Sequence, residues 1–172
     1  MGPGVRRDDH LERSFMTSPK SLSRTALSTV SADTIVSSFL TVQTSGAGFT
    51  DLTAEIAEFA KQAGAKEGAV TLFVRHTSAS LTIQENADPA VLDDLVTALD
   101  RLAPEDAGWS HDTEGSDDMP AHVKTMLTST SLHIPVLKGE LALGIWQAIY
   151  LIEHRRRPHR REIVLQFAGV TR

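Results

Sequence analysis

The chain has 172 residues, 41% of them hydrophobic and 23% charged, and a net charge of −5. That length and balance suit one globular domain with a real core, and the acidic sign argues against a nucleic-acid partner. There is no Cys, which excludes disulfides, thiolate metal sites and Cys nucleophiles. No apolar run approaches the ~20 residues needed to span a bilayer, so no membrane partner and a cytoplasmic location are expected.

Residues 1–33 are rich in Ser, Thr, Arg and Gly without sustained periodicity, and read as a disordered extension before a single domain over 34–172. The β-branched run Ile35 to Thr44 predicts a strand, and Gly46 and Gly48 a turn. Leu52, Ile56 and Phe59 fall at helical spacing, predicting a helix from about Leu52 to Ala63, capped by Thr50 or Asp51. Ala69 to Thr77 and Ser80 to Gln84 read as strands. Asp88-Pro89 opens a helix, with Asp as cap and Pro at the first position; Val91, Leu92, Leu95, Leu99 and Leu102 form its stripe. Residues 103–118 read as loop, and a further helix runs to about Leu127. Leu132 to Val136, Glu140 to His154 and Glu162 to Ala168 predict strands, with Lys138-Gly139 and the Arg-rich Arg155 to Arg161 as turns. Helices interrupting short-turned strands favour an α+β fold, a two-layer sandwich of mainly antiparallel sheets with two to three helices. The strand predicted at Glu140 to His154 is apolar on both alternations, so a second layer should cover one face and another subunit the other.

Four polar constellations stand out. The stretch His111 to His122, HDTEGSDDMPAH, holds two His and four carboxylates in twelve residues. Unpaired carboxylates are costly to bury, so it is either a solvated loop or a site. His111, Asp112, Glu114 and His122 have ligand chemistry for a divalent ion, although the spacing matches no closed zinc motif. Asp117 and Asp118 are assigned to capping the next helix. Arg75 to Ser80 places His76 at a strand end, followed by three hydroxyls that suit an anion or an ordinary Ser/Thr turn. Glu85 is a candidate proton acceptor beside Asn86, where turn and cap chemistry is the plainer reading. At the end of the long strand, His154 and Arg155 lie close to the sheet. Arg155 could grip phosphate, while Arg156, Arg157, Arg160 and Arg161 read as a hairpin tip in water. A Ser–His–Asp hydrolase is set aside, because G-x-S-x-G is missing.

HTSASLTIQENADPAVLDDL (76–95), HDTEGSDDMPAHVK (111–124) and SLHIPVLKGELALGIWQAIYLIEHR (131–155), followed by the return strand ending in Gly169, resemble the YjbQ family, also called the secondary thiamine-phosphate synthase family. The resemblance covers about Val36 to Thr171. It implies an α+β sandwich assembled as a homotrimer, with its site near subunit boundaries. It implies weak thiamine-phosphate synthase activity, joining a pyrimidine methyl diphosphate to a thiazole phosphate. The family's recurrent His positions fall on His76, His111, His122 and His154, the expected metal ligands. Its acidic, amide and aromatic positions fall on Glu85, Asn86, Asp112, Glu114, Asp117, Trp146, Gln147 and Glu153. Where the family usually has Gly-Thr-Trp-Gln-Gly, this chain has Gly144-Ile145-Trp146-Gln147-Ala148. The resulting expectation is an enzyme with Mg²⁺ or Zn²⁺ as its divalent metal and a small phosphorylated metabolite as partner. Mg²⁺ would sit on Asp112 or Glu114, with Arg155 nearby. The alternative is a non-catalytic trimeric module that binds the same metal or metabolite.

Overall fold

The computed structural model describes residues 24–171. Most of the expected N-terminal extension therefore lies outside the described residues; 24–33 carry neither helix nor strand. In chain order the elements are β1 (Thr34–Gln43), β2 (Gly48–Asp51), α1 (Thr53–Gln62), β3 (Glu67–Val74), β4 (Ala79–Glu85), α2 (Pro89–Leu102), α3 (Asp118–Leu127), β5 (Ser131–Leu137), β6 (Glu140–Leu141), β7 (Gln147–Glu153) and β8 (Arg160–Val170). They form the expected α+β sandwich. One sheet has the order β1-β8-β3-β5-β6 and the other β2-β7-β4, and neighbouring strands run antiparallel.

Period-two alternation builds the core between the sheets. Val70, Leu72 and Val74 of β3 and Ile163, Leu165 and Phe167 of β8 point inward to meet Leu81 of β4 and Ile149 and Leu151 of β7. Ile56 and Ala60 join them from α1, one turn apart on a single helical face. Burying a side chain of this size stabilises by roughly 1.5–3 kcal/mol, so this face dominates cohesion. Gly68 and Gly169 sit opposite each other on β3 and β8. A methyl on Gly68, whose φ is +148°, would lie 2.3 Å from the Ala168 carbonyl oxygen. Only glycine permits that approach.

Three sequence expectations are corrected. The strand predicted at Glu140 to His154 is two strands in different sheets, β6 and β7. A turn breaks it at Gly144–Gln147, where the Gln147 N–H donates to the Gly144 carbonyl and Gln147 Oε1 accepts from the Gly144 N–H. That turn carries exposed Ile145 and Trp146 at its tip, so their hydrophobicity gave no sign of a break. The turn predicted at Gly46–Gly48 also leads into a short strand, β2, which pairs with β7. β7 is buried on both faces, as its composition requires. Its second face, however, meets this chain's own helices: Val96 and Leu99 of α2 and Lys124 of α3 line the space beside Ile152.

The starts of α2 and α3 differ physically. Asp88 caps α2, its carboxylate accepting the Ala90 N–H at 2.9 Å. Asp117 occupies the cap position of α3 but makes no capping bond. Its carboxylate is engaged elsewhere, and so is that of Asp118.

Candidate metal centre

Residue 118 opens α3, so Asp118 and His122 are one helical turn apart on the same face. The preceding loop folds back over that turn and brings in His111. His111 Nε2 donates to Asp118 Oδ2 at 2.8 Å, a proton that a bound cation would replace, and His122 Nε2 lies 3.6 Å from the same oxygen. All three ligand atoms fall within 4.8 Å of one another. The imidazole centroids are 5.6 Å apart. The Asp118 side chain is only 3% exposed, whereas both rings remain open to solvent.

The second nitrogen of His122 has a defined partner. Nδ1 is 3.0 Å from the Thr77 carbonyl oxygen, which can only accept. Nδ1 is therefore the donor, and in the neutral ring Nε2, on the Asp118 side, carries the lone pair. A backbone carbonyl holding the far N–H is the usual support of a metal-ligating imidazole.

The Arg155 guanidinium binds the other side of Asp118. Its Nη1 donates to Asp118 Oδ1, its Nε and Nη2 to the two Asp117 oxygens at 3.2 and 3.3 Å, and its Nη2 to the Glu114 carbonyl at 2.8 Å. Burial alone would raise the Asp117 pKa, but the Arg156 N–H and the Arg155 guanidinium more than offset it and hold the carboxyl below its usual range. Gly115, at φ +116°, lets the loop close over these groups.

The expected ligands separate into those inside this cluster and those outside it. His111 and His122 belong to it. His76 does not: its Nε2 accepts the Glu162 N–H at 2.9 Å. The neutral ring consequently carries its proton on Nδ1 and offers a donor, not a metal ligand, in this arrangement. Burial, followed by the Arg161 charge, lowers the His76 pKa. His154 is buried against Ser80, with Nε2 and Oγ 2.8 Å apart. Burial first and Lys124 second push its pKa down to about 4. Asp112 and Glu114 are exposed and lie outside the ligand group, although Glu114 Oε2 comes within 3.9 Å of Arg155 Nη1.

Glu85, Asn86, Trp146 and Gln147 gather elsewhere. Glu85 pairs with Gln147 at one end of the β4–β7 ladder, and Ala79 with Glu153 at the other. Six residues of strand separate these ends by about 20 Å. The Asn86 N–H donates to the Trp146 carbonyl there. Asp118 is the residue that sequence reasoning misplaced by assigning it to capping, although its i,i+4 spacing to His122 was visible. Arg161 was likewise assigned to water. It is buried, with Nη2 2.5 Å from Glu153 Oε1.

Beside the cluster, on the far side of Thr77, lies an open groove of about 540 Å³ lined by Phe73, Arg75, His76, Ser78 and Thr130.

Residues 38–170 match the family model described as UPF0047 protein YjbQ-like. The chain belongs to the YjbQ family. A UPF0047 protein of Synechocystis is 50% identical over 131 residues, covering 76% of this chain and 89% of its own length. The YjbQ protein of Escherichia coli O157:H7 is 40% identical, covering 76% and 95%. Among solved structures, a hypothetical protein from Aeropyrum pernix K1 superposes with a TM-score of 0.73 at 27% identity, covering 78% of this chain and 99% of that one. Among the described residues of this YjbQ-like chain, no helix is long and apolar enough to cross a membrane.

Proposed function

We propose that this protein is a metal-dependent enzyme acting on a small phosphorylated metabolite, with its cation held by His111, Asp118 and His122. The convergence of two imidazoles and one carboxylate on α3 and its preceding loop carries the reading. Three protein ligands leave coordination positions for water or substrate, the pattern of catalytic rather than closed structural sites. Imidazole-rich sets suit Zn²⁺ or Fe²⁺, whereas Mg²⁺ favours carboxylates and water. The set of two imidazoles and one carboxylate therefore supports Zn²⁺ over Mg²⁺.

The reaction to assay first is thiamine-phosphate synthesis, the activity the family resemblance implies. In it the thiazole ring nitrogen attacks the methylene carbon of the pyrimidine diphosphate; the C–N bond forms, the C–O bond breaks and diphosphate leaves with the electron pair. No protein nucleophile is needed. The cation would neutralise the departing charge, and the groove beside Thr77 would hold the organic part.

We assign the assembly to a homotrimer using the outer face of the five-stranded sheet. Phe39, Val164 and Phe73 form one cross-strand row there, and Ile35, Phe39 and Phe73 are exposed at 70%, 61% and 48%. The Glu85–Gln147 end of the β4–β7 ladder lies about 20 Å from its Ala79–Glu153 end, a separation that supports a site taking contributions from two copies.

One observation favours the non-catalytic module instead: Arg155 spends four of its five N–H donors on protein oxygens, leaving one Nη1 N–H for a leaving diphosphate. The test supplies Zn²⁺-loaded protein with both substrates and measures thiamine phosphate. Product that disappears in His122→Ala supports the enzyme. Metal and metabolite binding with no product supports the module.

A further inference from the structure

We infer that Arg155 is the positioning residue of the metal centre, fixing the Asp118 carboxylate so that Oδ2 faces the two imidazoles. The inference rests on the metal reading above and concerns how that site is built.

The geometry is directional. Asp118 has two carboxylate oxygens, and they have different partners. Oδ1 takes the Arg155 Nη1 donor, and Oδ2 faces His111 and His122. A carboxylate on a single side-chain torsion could otherwise rotate and exchange the two oxygens. The planar guanidinium prevents this only if it is itself held, and it is. Asp117 takes its Nε and Nη2 edge with both oxygens. The Glu114 carbonyl takes a second Nη2 proton at 2.8 Å. The same Asp117 carboxylate accepts the Arg156 N–H at 2.9 Å, tying the β7–β8 connection to the loop. With its side chain 11% exposed and four of its five N–H donors occupied, Arg155 has little left for a ligand.

A Lys would keep the charge but lose the fork, because an ammonium is a point donor that cannot span Asp117, Asp118 and Glu114 together. Two explanations are thereby separable. If Arg155 acts through its fork, both Arg155→Lys and Arg155→Ala weaken the site. If it contributes charge alone, it repels the cation, and Arg155→Ala binds metal more tightly.

The experiment titrates the full-length, chelator-stripped protein with Zn²⁺ in competition with a chromophoric chelator, and with Co²⁺ while recording its visible spectrum. Wild type, Arg155→Lys, Arg155→Ala and Asp117→Asn are compared, with circular dichroism and thermal unfolding verifying the fold. Outer partners of metal ligands typically contribute about 10–100-fold in affinity. Both Arg155 variants are expected to lose about that much and to change the Co²⁺ band, which reports ligand geometry. Asp117→Asn leaves Arg155 in place but loosens its anchor, so it should lose less in the same direction; it serves if the Arg155 variants do not fold. Wild-type affinity and spectrum in Arg155→Lys, or tighter binding in Arg155→Ala, overturn the inference while leaving the metal centre standing. If Arg155 cannot be replaced, wild-type behaviour of Asp117→Asn overturns it. Failure of wild type to bind either ion overturns the metal reading itself.

Discussion

Glu153 and Arg161 are buried side by side, their side chains 1% and 5% exposed, and replacing Glu153 by Gln should cost more than any surface change. The carboxylate accepts four hydrogen bonds. Oε2 takes Thr44 Oγ1 at 2.9 Å and Arg161 Nε at 2.7 Å; Oε1 takes Arg161 Nη2 at 2.5 Å and the Arg155 N–H at 2.9 Å. These bonds offset the burial that would otherwise raise its pKa, and hold the group below the usual carboxylate range. Glu153→Gln keeps one oxygen and turns the other into an NH₂ facing two donors, leaving a buried guanidinium without its counter-charge. Breaking a buried pair in this way costs about 3–5 kcal/mol, a large part of a typical 5–15 kcal/mol of stability. At about 2–4 °C per kcal/mol for a chain of this size, Tm should fall by about 6–20 °C. Urea unfolding at fixed protein concentration measures the loss. The double variant Glu153→Met/Arg161→Met should recover most of it, because an apolar pair of similar volume avoids desolvating both charges. A loss below about 1 kcal/mol for Glu153→Gln, or a double variant as unstable as the summed singles, would refute the reasoning.

His154 gives the pH dependence. Its folded pKa of about 4 lies below the ordinary 6.5, so between those values the unfolded chain takes up a proton that the native chain refuses. Stability should fall as pH drops from about 6.5 to about 4, by on the order of 3 kcal/mol from this group. His154→Asn should flatten that slope in Tm measured across the window, and an unchanged slope counts against the assignment. Gly68→Ala places a methyl 2.3 Å from a backbone oxygen at φ +148°. Strain and overpacking of about 1–3 kcal/mol each predict a combined loss of about 2–6 kcal/mol, read by denaturant unfolding; wild-type stability would contradict the packing described. If the proposed trimer of 18.7 kDa chains forms, Phe39→Glu together with Phe73→Glu should reduce it to monomers in light scattering. A wild-type protein that is already monomeric sinks the assembly.

Much of the fold was legible because local chemistry and global packing agree. Asp88-Pro89 starts α2 where capping chemistry predicts, and β3 and β8 alternate as half-buried strands do. The Glu140 to His154 segment misled because an apolar pattern reports burial, not continuity. The bond from the Gly144 N–H to the Gln147 side chain that breaks it has no hydrophobic signature. At the proposed site, the type and company of His111 and His122 singled them out, and the structure brings their ligand atoms together. Asp118 was assigned to capping because an acidic residue at a helix start ordinarily caps. Arg155, thirty-seven residues away in sequence, draws both it and Asp117 aside. Arg161 was hidden for another reason: its partner Glu153 ends β7 in the other sheet, across the connection between the two sheets. The chain order of His76 and His154 gave no hint that a backbone N–H and a Ser hydroxyl already occupy their nitrogens.

The account depends most on His111, Asp118 and His122 holding one cation together. Crystals soaked in Zn²⁺ and measured at the zinc absorption edge test this directly. The account predicts one strong anomalous peak per chain, at about 2.0–2.2 Å from His111 Nε2, His122 Nε2 and an Asp118 oxygen. It also predicts the loss of that peak in His122→Ala crystals. A wild-type map with no peak at this position, or with zinc bound only at other residues, would contradict it.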